Sequence, residues 1–170
     1  FTENFIERLP FTLTDGQRSA LDRVFDSLQS TQPSRVLIQG DVGCGKTIVA
    51  VIACLNVVRN GYQCLVLVPT EVLCNQHFKT FTSLFSDIGK VVMLSGKDSS
   101  SKKGDIKREL KNGKISILVA THALLYDDYD FKNLALVVVD EQHKFGVKQR
   151  EKITSSYAYQ PHLIYMSATP

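Results

Sequence analysis

The segment Gly40-Asp41-Val42-Gly43-Cys44-Gly45-Lys46-Thr47 constrains this chain more than any other. It follows the short apolar run Val36-Leu37-Ile38 and opens a long apolar stretch, Gly45 to Arg59, that reads as a buried helix. The pattern G-x-x-x-x-G-K-[ST] between a strand and a helix is a phosphate-binding loop. Its glycines let backbone N–H groups turn inward onto phosphate oxygens, and the helix N-terminus adds positive potential. The lysine reaches the terminal phosphates and the threonine hydroxyl meets Mg²⁺. The plainer alternative is a glycine-rich turn that only caps a helix. The complete pattern in this strand-to-helix context argues against it.

The remainder of the chain predicts the sheet such a loop needs. Leu65 to Val68, Val91 to Leu94, Ile115 to Ala120, Leu136 to Val139 and Leu163 to Met166 are short, apolar and rich in β-branched residues. They do not alternate with polar residues, as expected for parallel strands covered on both faces. Helical patterns lie between them. Ala20, Leu21, Val24, Phe25 and Leu28 share one face of a helix from about Thr14 to Gln29. Phe78, Phe81, Leu84 and Phe85 mark another that starts near Glu71. The alternation predicts an α/β domain with a mostly parallel sheet, helices on both faces and right-handed crossovers. A length of 170 residues suits one domain. Ser99 to Gly104 reads as a surface loop leading into a basic helix, and the stretch from Lys102 to Lys114 holds Lys102, Lys103, Lys107, Arg108, Lys111 and Lys114 against Asp105 and Glu109.

Composition excludes several classes. Hydrophobic residues make up 44% and charged residues 22%, which rules out a disordered or collagen-like chain. The longest apolar run, Ile48 to Leu55, is far shorter than the roughly 18 residues of a membrane span, so no membrane partner is expected. The net charge of +3 does not by itself imply nucleic acid, and the basic stretch reads as a solvated helix face. Cys44, Cys54, Cys64 and Cys74 form no C-x-x-C pair, so they read as reduced, mostly buried residues of a cytosolic protein. The chain starts without Met and stops at Pro170, so a piece of a longer protein is expected.

A second site element is Leu136-Val137-Val138-Val139-Asp140-Glu141, an apolar strand that ends in two acids. Beside a phosphate loop, Asp140 would hold Mg²⁺, usually through water, and Glu141 would polarise an attacking water. Further strand ends carry Pro69-Thr70-Glu71, Thr121-His122 and Ser167-Ala168-Thr169. In a parallel sheet all of these meet on one edge, where ligands of open α/β sheets bind. Thr14-Asp15-Gly16-Gln17 has two readings. Thr14 and Gln17 form a capping box, or Gln17 reads an adenine edge through its amide.

Together these residues resemble superfamily 2 helicases. Leu13-Thr14-x-x-Gln17 is similar to their Q motif, Gly40 to Thr47 to motif I, and Pro69-Thr70-Glu71 to motif Ia. Thr121-His122 is similar to the Ib region, Asp140-Glu141-Gln142-His143 to motif II in its DExH form, and Ser167-Ala168-Thr169 to motif III. Gln39 to Gly43, Pro69 to Leu73, Gln76-His77, Thr121 to Leu124 and Asp140 to Arg150 resemble the RecG-type family of bacterial branched-DNA helicases, over nearly the whole chain. Leu9-Pro10-Phe11 fits as well. The transcription-repair coupling factor is the nearest competitor. Cys44 stands where that family usually has Ser, and Cys74-Asn75 where a small residue and an acid are common.

The resemblance implies a RecA-like P-loop domain that binds ATP and Mg²⁺. Gln17, Gly40, Asp41, Val42, Gly43, Cys44, Gly45, Lys46 and Thr47 would bind nucleotide. Lys46, Asp140 and Glu141 would be catalytic, with Thr47 and Asp140 on the metal. Thr70, Gln76, His77, Thr121 and His122 would follow the backbone of DNA without reading sequence. For Thr70 a helix cap, and for the two histidines a structural role, stay open. His143, Ser167 and Thr169 would couple the nucleotide to a second motor domain. The implied layout is a lead-in segment, residues 1–13, from a preceding region, and a first motor domain over 14–170. The second RecA-like domain, its arginine finger and an N-terminal wedge region would be partners outside this chain. Branched or forked DNA is the expected substrate, in replication restart and recombination repair, and the setting a bacterial cytoplasm. Another P-loop switch is the alternative. The chain has neither the Asn-Lys-x-Asp of a GTPase nor the Leu-Ser-Gly-Gly-Gln of a transporter ATPase.

Overall fold

In the computed structural model, which describes residues 2–40, 45–141, 146 and 160–167, six strands form one sheet. They are β1 (Arg35–Gln39), β2 (Gln63–Val68), β3 (Val91–Leu94), β4 (Ile117–Thr121), β5 (Leu134–Val139) and β6 (His162–Ser167). Their spatial order is β1-β6-β5-β2-β4-β3, and every pairing is parallel. Val66 of β2 lies opposite Val119 of β4 on one side and Val138 of β5 on the other. These three central strands are buried almost throughout, which is why they read as unbroken apolar runs. β1 is an edge strand, and its Leu37 stays exposed.

The helices are α1 (Thr2–Glu7), α2 (Asp15–Leu28), α3 (Lys46–Arg59), α4 (Glu71–Phe85) and α5 (Ser100–Lys111). The period-2 pleat divides the core in two. Val66, Val119, Val138 and Ile164 face a cluster with Leu21 and Val24 of α2, Ile52 and Leu55 of α3, and Phe81 and Phe85 of α4. Leu65, Leu67, Leu118, Val137 and Tyr165 face the other side, where Ile106 and Leu110 of α5 cover them. Helices therefore cover both faces. Nine of the fourteen residues of α3 are buried, the signature of a helix apolar all round. Each fully buried aliphatic side chain there contributes about 1.5–3 kcal/mol. That packing fixes the helix whose first turn follows the phosphate loop.

Two local expectations change, at Ser99 to Gly104 and in the buried stripe of α4. The stretch Ser99 to Gly104 is not a loop: Ser99 is an N-cap whose hydroxyl accepts the Lys102 N–H at 3.2 Å, and helix starts at Ser100. A serine run that reads as loop-forming instead serves as a cap and first turn. The buried stripe of α4 is Cys74, His77, Phe81 and Phe85, with Phe78 and Leu84 only partly buried. The lead-in segment contains α1 and packs through Ile6 and Leu13 into the core. Cys54, Cys64 and Cys74 are buried, unpaired thiols, and burial pushes Cys74 up to about 11. A thiol so placed stays protonated and inert.

His162 ties β6 to the segment before β1. Its Nδ1 accepts the Ser34 N–H at 3.2 Å and lies 2.8 Å from the Ser34 hydroxyl. Burial lowers the His162 pKa below the usual imidazole value, and that of His122 likewise. Their folded pKa values lie below the unfolded one, so the unfolded chain binds more protons as pH falls. Stability is fully present above the ordinary pKa near 6.5 and is lost as pH drops through the folded values. Thermal melts from pH 7.5 to 5 should fall in Tm, and His162→Gln should flatten that slope. An equal slope in both proteins would remove His162 from the account.

Candidate active site

Because all strands run parallel, their carboxyl ends share one edge, and the strand order sets the sequence of groups along it. Gly40 follows β1, Ser167 ends β6, Asp140 follows β5, Thr70 lies just beyond β2 and Thr121 ends β4. The phosphate loop and the acidic pair are thus separated by one strand, and Thr70 and Thr121 continue the row away from them. The Gly40 N–H donates to the Ser167 carbonyl at 3.2 Å, so β6 anchors the start of the loop. Ser167 itself is buried.

Of the loop, Asp41, Val42, Gly43 and Cys44 lie outside the described residues, as do His143 and Thr169. Gly45 is the N-cap of α3 with φ 79°, a left-handed conformation natural to glycine. A Cβ there would displace the Gln17 amide, the far end of a flexible side chain, so it is the left-handed backbone that requires glycine. Gln17 carries the capping box in full: its Oε1 accepts the Thr14 N–H at 2.8 Å, and its N–H donates to Thr14 Oγ1 at 3.1 Å. The same side chain donates from Nε2 to the Gly45 carbonyl at 3.4 Å. Capping thus aims the amide at the phosphate loop. Lys46 Nζ donates to the Gly40 carbonyl at 2.7 Å.

The Asp140 N–H continues the sheet ladder onto the Leu67 carbonyl at 2.8 Å. Its Oδ1 accepts the Glu141 N–H at 2.9 Å. Glu141 has φ 58°, the left-handed region that costs a non-glycine residue about 1–2 kcal/mol. His77 Nε2 lies 2.8 Å from Asp140 Oδ2. His122 faces the same residue. Burial lowers its pKa, while a hydrogen bond to the Asp140 backbone and the Asp140 charge oppose that shift. Both histidines are buried, so they pack around the acid instead of facing out along the edge. Thr70 and Gln76 are exposed, and the Thr70 hydroxyl also caps α4 by accepting the Leu73 N–H at 3.3 Å.

One cleft of about 530 Å³ joins these groups. Gln17, Lys46, Thr47, Asp140 and Glu141 line it, and Gln76 and His77 of α4 form a further wall. Phe11, 49% exposed, lines it too, beside Leu9 and Pro10. That wall was not read from the sequence as part of the site. The signal that could have found it is the Leu9-Pro10-Phe11 run itself, an aromatic residue beside a Pro six positions ahead of Gln17.

The DEAD/DEAH box helicase family matches residues 14–170 of this chain. The chain belongs to that family. Among curated DEAD/DEAH relatives, the ATP-dependent DNA helicase RecG of Aquifex aeolicus is 45% identical over the whole chain, and that of Staphylococcus aureus 42% over 99% of it. The chain spans 22% and 24% of their lengths. A solved structure of RecG bound to a three-way DNA junction superposes with a TM-score of 0.86 at 39% identity, over 99% of this chain and 22% of that one. The UvsW helicase of bacteriophage T4 shares the fold, with a TM-score of 0.73 at 20% identity, over 98% of this chain and 58% of that one. The resemblance to RecG-type helicases and the RecA-like α/β fold both hold.

Proposed function

We propose that this chain is the first motor domain of an ATP-driven helicase acting on branched or forked DNA, in the manner of RecG. The observation that carries the reading is the single cleft in which Gln17, Lys46, Thr47, Asp140 and Glu141 meet. Its donors suit Mg²⁺ arriving with a nucleotide. Among the described residues no three His, Cys, Asp or Glu side chains converge as a metal site. Mg²⁺ is typically held by one or two carboxylates together with substrate phosphates. Asp140 and the Thr47 hydroxyl are the oxygens that would hold it. Bound there, the ion supplies charge stabilisation at the phosphates.

The chain's own residues do the rest. The backbone of residues 40–45 binds phosphate oxygens, and Lys46 exchanges the Gly40 carbonyl for the terminal phosphates. Glu141 orients the attacking water and takes up its proton. Phe11 and Gln17 flank the base, the ring by its face and the amide by donor and acceptor. Thr70, Gln76 and Thr121 continue the row as the path of a DNA backbone. His77 and His122 are buried against Asp140 and lie off that path. Ser167, between the loop and Asp140, relays the nucleotide state with His143 and Thr169 toward a second motor domain. The second domain and a branch-gripping region belong to the remaining length of a RecG-type protein. The setting is the bacterial cytoplasm, in replication restart and recombination repair. Among the described residues no helix is long and apolar enough to cross a membrane.

DNA binding by this chain should be weak, salt-sensitive and indifferent to sequence, since its contacts go to phosphates. Anisotropy titrations of forked duplexes of two unrelated sequences at rising salt test this. Tight, sequence-selective, salt-insensitive binding would refute the reading.

A further inference from the structure

We infer that His77 is a positioning residue for the acidic pair: its imidazole fixes the Asp140 carboxylate and, through it, the strained backbone of Glu141. The inference rests on the proposed reading of Asp140 as a metal-facing residue. The contact spans 63 positions of sequence, from the middle of α4 to the end of β5, at 2.8 Å. Both side chains are largely shielded, at 8% and 15% exposure. A carboxylate only accepts, so Nε2–H of His77 is the donor, and this sets the imidazole tautomer. The second carboxylate oxygen takes the Glu141 N–H. The carboxylate is thus held at both oxygens, and its plane is defined by one helix and by its own successor.

His77 shares a buried stripe with Cys74, Phe81 and Phe85, where an apolar side chain would be the ordinary occupant. A polar ring in such a stripe costs free energy unless it is hydrogen-bonded. Its hydrogen bond goes to the acid of the acidic pair, Asp140. α4 in turn is fixed by the Thr70 cap and by the two phenylalanines beneath it. Carboxylates that serve metals are themselves held by hydrogen bonds, and losing such a partner typically costs about 10–100-fold in metal affinity or activity.

The test is calorimetric titration of ADP into the parent chain, His77→Leu and His77→Gln, each with Mg²⁺ and with EDTA. Thermal melts establish that each is folded. The gain in ADP affinity brought by Mg²⁺ should shrink about 10–100-fold in His77→Leu. It should largely return in His77→Gln, whose amide N–H reaches as far as Nε2–H. Any loss of affinity in EDTA should be much smaller than the loss with Mg²⁺, a split that a general loosening of the fold would not produce. An unchanged Mg²⁺ gain in His77→Leu would overturn the inference, as would equal losses with and without Mg²⁺, or a glutamine variant as deficient as leucine. If His77→Leu does not fold, nitrogen NMR of the parent imidazole decides: protonation at Nε2 with bare Nδ1 supports the role, and the opposite tautomer overturns it. A parent that gains nothing from Mg²⁺ would overturn the metal reading of Asp140 together with this inference. A parent that gains while both variants match it would overturn the inference alone.

Discussion

Lys46→Ala should lower the affinity for a non-hydrolysable ATP analogue by at least about a hundredfold, which is about 2.7 kcal/mol. Lys46 is the first residue of α3, and its ammonium lies 2.7 Å from the Gly40 carbonyl. From there it reaches across the opening in which phosphates would sit. A charge-assisted hydrogen bond contributes about 1.5–3 kcal/mol, and the lysine serves more than one phosphate oxygen. Its aliphatic stem is only partly buried, so the substitution leaves the core of α3 intact. The melting temperature without ligand should therefore stay near that of the parent while affinity collapses. Calorimetry at matched Mg²⁺ provides the measurement. Equal affinity in mutant and parent would refute the phosphate-loop assignment.

The elements that proved most legible are those whose pattern has one physical cause. β2, β4 and β5 are buried on both faces, so their apolar runs mean strand without ambiguity of face. α3 has almost no helical periodicity to read, yet the glycine-lysine-threonine signature places its start within a residue. The capping box at Thr14 and Gln17 was legible as a spacing, but its second use was not. Only the fold brings Gln17 Nε2 to the Gly45 carbonyl, 28 positions away. His77 and His122 show the same limit. From the sequence, a DNA contact and a structural role both stay open for these histidines, and the partner of neither is legible. The fold turns them onto Asp140, because α4 and β4 flank β2 and β2 pairs with β5. A clue existed in the stripe Cys74, His77, Phe81 and Phe85, since a polar residue on a buried face must find a partner. Phe78 and Leu84 masked it by suggesting a stripe shifted by one position.

The largest expected effect concerns the rate of hydrolysis. The cleft supplies a lysine, a hydroxyl and two carboxylates, and among the described residues lining it Lys46 is the single cation. Charge on the transferred phosphoryl group needs a further cation in the transition state, and an arginine finger is worth about 10³–10⁵ in rate. In two-domain motors that arginine comes from the second domain. Strand separation likewise needs two bodies that close and open with the nucleotide. The 170-residue chain should therefore bind Mg-ATP, hydrolyse it slowly and leave a forked duplex unopened. A longer protein that joins a second RecA-like domain to this one should regain DNA-stimulated hydrolysis, faster by about 10³-fold or more. Glu141→Gln in that longer protein should abolish the stimulation and preserve ATP binding. The amide keeps the shape of Glu141 and its left-handed backbone but cannot take a proton from water. Phosphate release with and without forked DNA, measured on all three proteins, decides the matter. A short chain as fast as the longer protein would show that the catalytic cation lies within these residues and that the site is not split between domains.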